Sequence, residues 1–430
     1  MKRGAGFRVL VLLAASCGLA AMAGCGGGGG GGGDNPSSPS ITTTTLPAGV
    51  HVSPYSAALS ATGGTPPYTW SATGLPAGLS VSADGTLAGT PTEEGAFTPE
   101  FTVTDSLSMQ TAATIPLRIA TPLALFVADL STPSGAVNIF DNASVADGDS
   151  AWTRRLQGTS TTLNVDVGGP PAGVSYDAAR NILYVARTQG SDNGAILAFH
   201  NADTATGNVA PTRTIDGFSI GPTPFPLNSC SDVFIDSVND RIYIANVFGV
   251  LGNTIVILDN ASTTPVFRSV GNLAYVPAAM SVDVGRDILY VVPNLGTAIM
   301  IYDDVSAGLP PAPTRTITIG TAVGLADVKV DPVTDIAFVA DYEGNRVFVV
   351  NDASQKDGAH APDRTLTGLV NPNSVFPDAA NDRLFVSSRT GPSPYAVGVV
   401  ENMSTVSGSV TFSRQLSGFG VAAGMTGFYK

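Results

Sequence analysis

The sequence predicts an all-β protein in which a small β-sandwich precedes a six-bladed β-propeller. The 430 residues include 49 glycines and 30 prolines, while charged residues make up only 13% of the chain. Glycine and proline are thus above average usage and charge is below it, which is typical of many short strands joined by turns. Two sequence patterns support this reading: short apolar-polar alternation over residues 41–121, and a strand motif that recurs along the rest of the chain.

The overall charge excludes one class of partner. The formal net charge is −13 at neutral pH, and the acidic residues all follow the first 25 positions. A strongly acidic chain is repelled by nucleic acid and by anionic lipid surfaces. We therefore expect no nucleic-acid partner.

The first 24 residues have the features of a secretory signal. Basic residues precede an apolar stretch over residues 9–23, which is too short for a comfortable membrane span. The stretch ends in Met22-Ala23-Gly24-Cys25, which resembles a bacterial lipobox, so Cys25 is the expected lipidation site. An ordinary cleaved signal with an incidental cysteine is the alternative.

A flexible tether is expected to follow the anchor. Residues 25–40 hold eight consecutive glycines and then a stretch rich in proline and serine. Such a segment behaves as a random coil and can lift a domain off a bilayer. We expect an exported monomer that is anchored by lipid to a bacterial membrane, with the outer membrane favoured.

Residues 41–121 predict the β-sandwich. Tyr68 and Trp70 alternate and can fill a core between sheets, and Asp84-Gly85 forms a hairpin turn because glycine tolerates positive φ. The text from Gly63 to Ser106, GGTPPYTWSATGLPAGLSVSADGTLAGTPTEEGAFTPEFTVTDS, resembles the Ig-like domains of bacterial surface proteins, which are related to cadherin-like and dystroglycan-type modules.

The cadherin resemblance raises the possibility of calcium in this domain. Its acidic side chains could supply the hard oxygen ligands that Ca²⁺ prefers, namely Asp105, Glu93, Glu94 and Glu100. The clustered acidic triplet of cadherins is missing, and the domain occurs once. A solvated acidic surface is therefore the favoured interpretation, and a calcium-binding adhesion module is the alternative.

Residues 122–430 are built from six repeats. An apolar-aromatic-apolar strand recurs at intervals of about 47 to 59 residues, centred on Phe126, Tyr184, Tyr243, Tyr290, Phe338 and Phe385. Five of these strands follow a hairpin in which an aspartate lies four residues before an acid or an amide, and aspartate caps such turns with its own side chain. Units of this length with four strands each are typical of propeller blades.

Two further features support six blades. An arginine recurs after the last loop of each unit and is expected to pair with an acid within its blade, at Arg154, Arg213, Arg268, Arg315, Arg364 and Arg414. The first unit lacks its first strand, and the C-terminal residues 423–428 have the pattern of that missing strand. The last strand should therefore close the first blade, which removes exposed sheet edges.

The blade pattern resembles the NHL, YVTN and gluconolactonase-like group of bacterial propellers, most clearly in the run FVADYEGNR at residues 338–346. The group includes lactonases with a metal in the central channel, ligand sensors and protein-binding scaffolds, so the resemblance leaves function open. Lactonases of this group use a glutamate as one metal ligand. Only Glu343 and Glu401 occur in the propeller, and neither has the expected inner-strand position, which argues against a hydrolase.

Strand order places candidate site residues on one rim of the channel. A binding rim is expected after the aromatic strands, at Asp129, Arg187, Asn246, Asn294, Asp341 and Arg389. Asp232, Asp327 and Asn373 precede the inner strands and are the candidate ligands of a metal, Ca²⁺ or the ion of a lactonase-like hydrolase. The alternative is that these polar side chains only solvate a rim of loops.

Other chemistry is scarce in the sequence. His51, His200 and His360 lie in three unrelated contexts, and Cys230 is expected to be a buried apolar residue. The favoured function is therefore non-catalytic: a cell-envelope lipoprotein whose propeller binds a protein or a glycan, with the Ig-like domain as spacer or adhesion module. A metal-dependent, lactonase-like hydrolase is the alternative.

Overall fold

The computed structural model describes residues 37–130, 135–144, 149–163, 171–188, 194–220, 222–249, 251–389, 395–417 and 422–429. The predicted signal peptide, Cys25 and most of the tether lie outside these residues. Within them no helix is long and apolar enough to cross a membrane. The described chain forms a β-sandwich and a ring of six β-sheets, so the predicted fold class is confirmed.

The sandwich is made of short strands in four small sheets. Its strands are Ser40–Ile41, Gly49–Val50, Tyr55–Ala58, Ala61–Thr62, Thr69–Thr73, Leu79–Val81, Thr86–Gly89, Gly95–Phe97, Glu100–Thr104, Gln110–Thr114 and Leu117–Ala120. Trp70, Leu87 and Phe101 are buried between the sheets. Tyr68 precedes the strand that holds Trp70 and is half-buried against the same core. Gly85 has a φ of +91°, and a side chain there would press on the Trp70 indole.

The ring consists of six sheets, each with four antiparallel strands, which we number as blades 1 to 6 along the chain. Blade 1 contains Ala422–Tyr429, Leu123–Asp129, Ala136–Phe140 and Arg154–Leu156, ordered from the channel outward. Blade 2 contains Pro171–Asp177, Ile182–Arg187, Ala195–His200 and Arg213–Ile215. Blade 3 contains Cys230–Asp236, Arg241–Gly249, Gly252–Asp259 and Val266–Leu273.

The remaining three blades repeat the same order. Blade 4 contains Pro277–Asp283, Ile288–Pro293, Ala298–Asp303 and Arg315–Ile319. Blade 5 contains Leu325–Asp331, Ile336–Asp341, Arg346–Val350 and Arg364–Thr367. Blade 6 contains Ser374–Asp378, Arg383–Arg389, Tyr395–Glu401 and Arg414–Ser417. A separate hairpin, Gly217–Ile220 with Thr223–Pro226, connects blades 2 and 3.

Neighbouring blades exchange short outer strands. Gly358–His360, Gly408–Ser409 and Asp149–Ala151 each leave their own blade and pair in parallel with the outermost strand of the preceding blade. Short 3₁₀ turns at Thr159–Thr161, Ala353–Gln355 and Ala379–Asn381 complete the regular structure. These exchanges cover sheet edges that would otherwise be open.

The aspartate hairpins have the capping geometry that the sequence predicts. In blade 3 the Asp236 carboxylate accepts the backbone N–H groups of Val238 and Asn239, at 3.0 Å each. The acid four residues later, Asp240, has a φ of 51° and accepts the N–H and the hydroxyl of Ser262. The first acid thus caps its own turn, and the second fixes the loop after the third strand.

The recurring arginines connect blades as well as pairing within them. Arg154, Arg268, Arg315 and Arg414 each pair with a carboxylate of their own blade, as expected. Arg213 and Arg364 instead donate to backbone carbonyls of the following blade. Arg154, Arg315 and Arg414 also reach such carbonyls. The prediction of intra-blade pairing therefore holds for four of the six arginines, whereas the contacts between blades were not predicted.

The sandwich contacts blade 6 of the propeller. The Arg118 guanidinium donates to the Asn381 carbonyl and lies 3.9 Å from the Glu401 carboxylate. The Thr121 N–H donates to the Asn381 side-chain oxygen at 3.1 Å. Since Leu123 begins a strand of blade 1, the connection between the domains is only a few residues long and is fixed by side-chain contacts.

Candidate functional site

The central channel has a cavity with charged side chains in its wall at the end where the six inner strands begin, which we call the upper mouth. The cavity measures about 330 Å³. Small residues at the starts of the inner strands form much of its wall, among them Ala172, Ser231, Ala278, Ala326 and Ala423. Because these side chains are short, the channel stays open here, and the longer polar side chains deeper in the wall can be reached.

Two aspartates and one lysine meet at the floor of this cavity. The Lys329 ammonium lies 3.6 Å from the Asp232 carboxylate and 3.5 Å from the Asp327 carboxylate. It also donates to the Met280 carbonyl at 3.2 Å. All three charged side chains are largely buried, and together they carry a formal charge of −1. We call this group the Asp-Lys-Asp cluster.

Each aspartate of the cluster also joins neighbouring blades. One Asp232 oxygen accepts the N–H of Val233 and the other accepts the N–H of Met280 in blade 4, at 2.9 Å each. Asp327 of blade 5 makes the corresponding contact with the next blade. Its carboxylate accepts the N–H of Val375 in blade 6 at 2.9 Å. The carboxylates are therefore held in fixed positions by the backbone.

Close packing around Asp232 requires a glycine in the neighbouring blade. A side chain at Gly173 would collide with the Asp232 carboxylate and with its backbone. Glycine is the one residue that allows so close an approach. Gly173, inside the inner strand of blade 2, therefore belongs to the construction of the cluster.

Burial and mutual attraction set the protonation of the cluster. Burial raises the pKa of Asp232, and the nearby Lys329 ammonium opposes this effect. Burial alone would lower the pKa of Lys329, but the two carboxylates outweigh it and raise that pKa above its usual value. Lys329 therefore stays charged at neutral pH and balances one of the two carboxylates.

The predicted metal ligands are thus brought to one cavity, together with a lysine that the prediction missed. Asn373 lines the same cavity as Asp232 and Asp327. The position between the two carboxylates belongs to the Lys329 ammonium, so the arrangement does not fit a divalent cation. Among the described residues, no three histidine, cysteine or acidic side chains are grouped to hold a metal ion. Metal binding here stays a prediction.

A sequence signal for Lys329 was present. Asp327 and Lys329 alternate in the inner strand of blade 5, so their side chains point to the same face of the sheet. The corresponding position holds phenylalanine in blade 3 and serine in blade 4, as Phe234 and Ser281. Lys329 is thus a charged residue at a position where these other blades have an uncharged one. Such a departure from the repeat indicates a candidate site.

Half of the predicted binding rim serves the blades themselves. Asp129 is fully buried and pairs with Arg155, and Asp341 is fully buried and pairs with Arg346. Asn246 is buried and accepts the Asn228 N–H at 2.9 Å. These three side chains are therefore closed to a ligand, because they are buried and bonded to neighbouring groups of the chain.

The other three rim positions differ from one another. Asn294 is exposed and lines the upper cavity. Arg187 is buried and lines a separate surface cavity between blade 2 and the hairpin that follows it. Arg389 ends a strand of blade 6, and its side chain lies outside the described residues. Asn294 is thus the one described rim residue that is placed to meet a ligand at the upper mouth.

The acidic residues of the sandwich are separately engaged. The Asp105 carboxylate accepts the N–H groups of Thr65, Leu107 and Met109, at 2.9 Å each. Glu93 accepts the Ala77 N–H, and Glu94 accepts the Thr121 hydroxyl. Asp105 therefore caps a turn.

Among the described residues, no histidine or cysteine lines the upper cavity. His51, His200 and His360 are absent from its wall. Cys230 is fully buried, and burial raises the pKa of its thiol to about 12, which suppresses the reactive thiolate. Ser231 lines the cavity, but its hydroxyl donates to the Pro277 carbonyl and no histidine lies beside it there.

Comparison with known proteins identifies the N-terminal domain. Residues 34–120 match the model of the family described as "Putative Ig domain". That segment is an Ig-like domain. A search of curated proteins finds no match to the chain.

Solved structures with a similar fold align mainly with the propeller. One is the nidogen/laminin complex, at 13% identity over 71% of this chain and 98% of the other, with a TM-score of 0.46. Another is a "putative 6-phosphogluconolactonase" from Bacteroides uniformis, at 13% identity over 70% and 84%, with a TM-score of 0.48. The third is the Cps50 (Swd1) β-propeller domain from Myceliophthora thermophila, at 12% identity over 65% and 79%, with a TM-score of 0.41. Likeness at this level carries no argument about activity.

Proposed function

We propose that this chain is an exported binding protein of the cell envelope, and that its propeller takes a polar group of a protein or glycan into the upper mouth. The Asp-Lys-Asp cluster carries this proposal, because it places a net negative, rigidly held group at the floor of a cavity of about 330 Å³. A carboxylate that already accepts one hydrogen bond can accept another. A hydroxyl or an amino group of the partner is the chemistry that fits.

The same geometry favours binding over hydrolysis. The charged groups at the floor are committed to one another and to backbone amides, which holds them in place and leaves no free base. Hydrolysis needs a positioned nucleophile with a base, or a metal-activated water. A divalent cation at Asp232 and Asp327 would have to displace the Lys329 ammonium.

Membrane attachment through Cys25 completes the proposal. An acylated cysteine followed by the glycine tether would hold the chain at a bilayer, with the Ig-like domain as a spacer below the propeller. Incorporation of a labelled fatty acid into the wild-type chain, and its loss in Cys25→Ser, tests the anchor. Labelling that persists in Cys25→Ser would contradict it.

A variant that fills the upper mouth tests the binding site. The mature chain with Cys25→Ser would be screened on a glycan array and cross-linked to envelope proteins of the producing cell. Partners would then be titrated against Ala278→Phe, which places a ring in the cavity wall without removing a hydrogen bond of the cluster. We expect binding to weaken at least about tenfold.

The control is Thr367→Phe, which adds the same ring at an exposed position of an outer strand in blade 5. Its binding should equal that of the wild-type chain. Equal binding by Ala278→Phe would show that the partner uses another surface. Turnover of a lactone that Ala278→Phe abolishes would replace the binding function with a hydrolase.

A further inference from the structure

The lower end of the channel contains a second cavity that differs in chemistry from the upper mouth. It measures about 590 Å³ and is lined mainly by apolar side chains. Phe234, Val330, Phe376 and Met425 form much of its wall. Its outer edge is formed by hairpin turns on the face of the propeller opposite the upper mouth, which we call the lower face.

Lys329 separates the two cavities. Its ammonium bonds to the carboxylates of the upper cavity, and the same residue also lines the lower one. The other charged side chain of the lower wall, Asp331, accepts the Val333 N–H at 3.1 Å and the Thr334 hydroxyl at 2.6 Å. An anionic ligand therefore finds no free cation in this wall, because Lys329 is ion-paired, and the Asp331 carboxylate is already bonded within its own turn.

Two serine hydroxyls supply the polar contacts of the lower cavity. Ser175 accepts the Ile235 N–H and Ser281 accepts the Val330 N–H, at 3.0 Å each. A hydroxyl that accepts one bond retains its own proton. Both serines line the cavity, so they can donate to an acceptor inside it.

We infer that the lower cavity binds a small, uncharged, largely apolar molecule that carries a carbonyl or ether oxygen. Cavities of this volume with apolar walls and a few directed polar groups are typical of small-molecule sites. The apolar part of the ligand would displace little ordered water on binding, because apolar cavities hold water poorly. The serine hydroxyls would orient the ligand through its acceptor.

A small molecule fits better than a protein segment because of the neighbouring domain. The turn that supplies Ala379 and Ala380 to the cavity continues into Asn381, which is bonded to Arg118 and Thr121 of the sandwich. A macromolecule that approached this edge would meet the sandwich. The opposite edge remains open at Val333, which is 86% exposed.

Fluorescence titration with Nile red tests the site, because this dye is uncharged, apolar and carries a carbonyl acceptor. The mature chain with Cys25→Ser is used, so that no acyl chain competes. We expect saturable binding at one site per chain. Val333→Asp should weaken it about tenfold, because a carboxylate at the edge loses water when the ligand enters. Ala379→Trp should block entry.

Matched controls come from the repeat itself. Val238 occupies the same turn position in blade 3, is 84% exposed, and does not line the cavity. Ala178 corresponds in the same way to Ala379. Val238→Asp and Ala178→Trp should bind the dye as the wild-type chain does, and so should Ala278→Phe at the upper mouth.

Three results would overturn the inference. They are the lack of saturable dye binding, an equal loss in Val333→Asp and Val238→Asp, and binding of an apolar peptide but not of the dye. The outcome is independent of the proposed function, since Ala278→Phe tests the upper mouth and leaves the lower wall unchanged.

Discussion

The Arg315 guanidinium and the Asp303 carboxylate pair in blade 4, with Nε 2.9 Å from Oδ2. The same guanidinium donates to the carbonyls of Ser354 and Lys356 in blade 5, at 2.9 Å each. One side chain therefore holds an ion pair inside a blade and two hydrogen bonds to the next blade. Arginine suits this position because its planar group has five donors in fixed directions.

We expect Arg315→Lys to lower the free energy of unfolding by about 1–3 kcal/mol, because lysine keeps the charge but cannot make all these bonds. Urea unfolding measures the change. Arg268→Lys is the matched control, since Arg268 pairs with Asp259 and has no described bond to the next blade. A loss in Arg268→Lys as large as that in Arg315→Lys would show that the ion pair, and not the connection between blades, supplies the stability.

The Asp-Lys-Asp cluster predicts a strong effect of removing its ammonium. Lys329→Met should lower the free energy of unfolding by about 3–5 kcal/mol at neutral pH, because two buried carboxylates lose their partner. Lys356→Met is the control, since Lys356 has no ion pair among the described residues. Near-equal stability of wild type and Lys329→Met would contradict the buried pairing.

The pH dependence of this difference has a defined sign. The pKa of Lys329 is raised in the folded chain above its usual value of 10.5, since the carboxylates outweigh burial. The stability supplied by the ammonium is therefore complete below pH 10.5 and is lost as the pH rises through the higher folded pKa. The gap between wild type and Lys329→Met should stay constant from pH 7 to 10 and narrow above that range. A gap that narrows below pH 9 would indicate a lowered pKa.

The Lys329 ammonium lies between the two carboxylates, and from this we predict how the stability of the chain responds to metal ions. We expect 1 mM Ca²⁺ or an excess of chelator to shift the Tm of the mature chain by less than about 1 °C, because a ligand stabilises only when it binds the native state. Mass spectrometry of the purified chain gives the metal content directly. One tightly held ion per chain, lost in Asp327→Ala, would restore the metal site that the sequence suggested.

Glu401 lies in the contact between the propeller and the sandwich, and its carboxylate predicts how stability changes at acidic pH. Burial tends to raise its pKa, but Arg383 and Arg414 outweigh this and lower it below the usual 4.5. The stability it supplies is present above pH 4.5 and is lost as the pH falls through the lower folded pKa. Glu401→Gln should therefore be about 1–2 kcal/mol less stable at pH 7, and the difference should shrink below pH 4.

Chemical unfolding between pH 3 and 7 measures this effect. Glu343→Gln removes an exposed carboxylate of blade 5 that has no described ion pair, and it serves as the control. Because Arg118 also lies near Glu401, limited proteolysis between the two domains should be faster in Glu401→Gln than in Glu343→Gln. Equal cleavage rates would show that the domain contact does not depend on this acid.

The architecture was predictable because the same sequence pattern recurs in each blade. The aromatic strands, the aspartate hairpins and four of the six arginine pairs follow from residue types at fixed spacing. The site was less predictable, since it depends on where blades differ. Lys329 is a single departure from the repeat, and a sequence gives no distance between Asp232 and Asp327.

The features that could not be predicted depend on contacts between elements that are distant in the chain. Asp129 and Asp341 are buried beside Arg155 and Arg346, and residue types along the chain do not show that these pairs form. The bond between Arg118 and Asn381 joins residues of different domains. The lower cavity arises from side chains of all six blades, which no single repeat reveals.

The C-terminal strand supplies the last prediction, because it forms the inner edge of blade 1. Residues 422–429 pair with Leu123–Asp129, and Met425 is buried between blades. Deletion of residues 421–430 would expose a long apolar strand at the channel and remove part of the wall of both cavities. We expect the truncated chain to open at blade 1 and to be cleaved by trypsin many times faster than the full chain. Deletion of Lys430 alone, which leaves every one of these pairings in place, should have no effect. A truncated chain as resistant as the full one would show that the ring closes without its last strand.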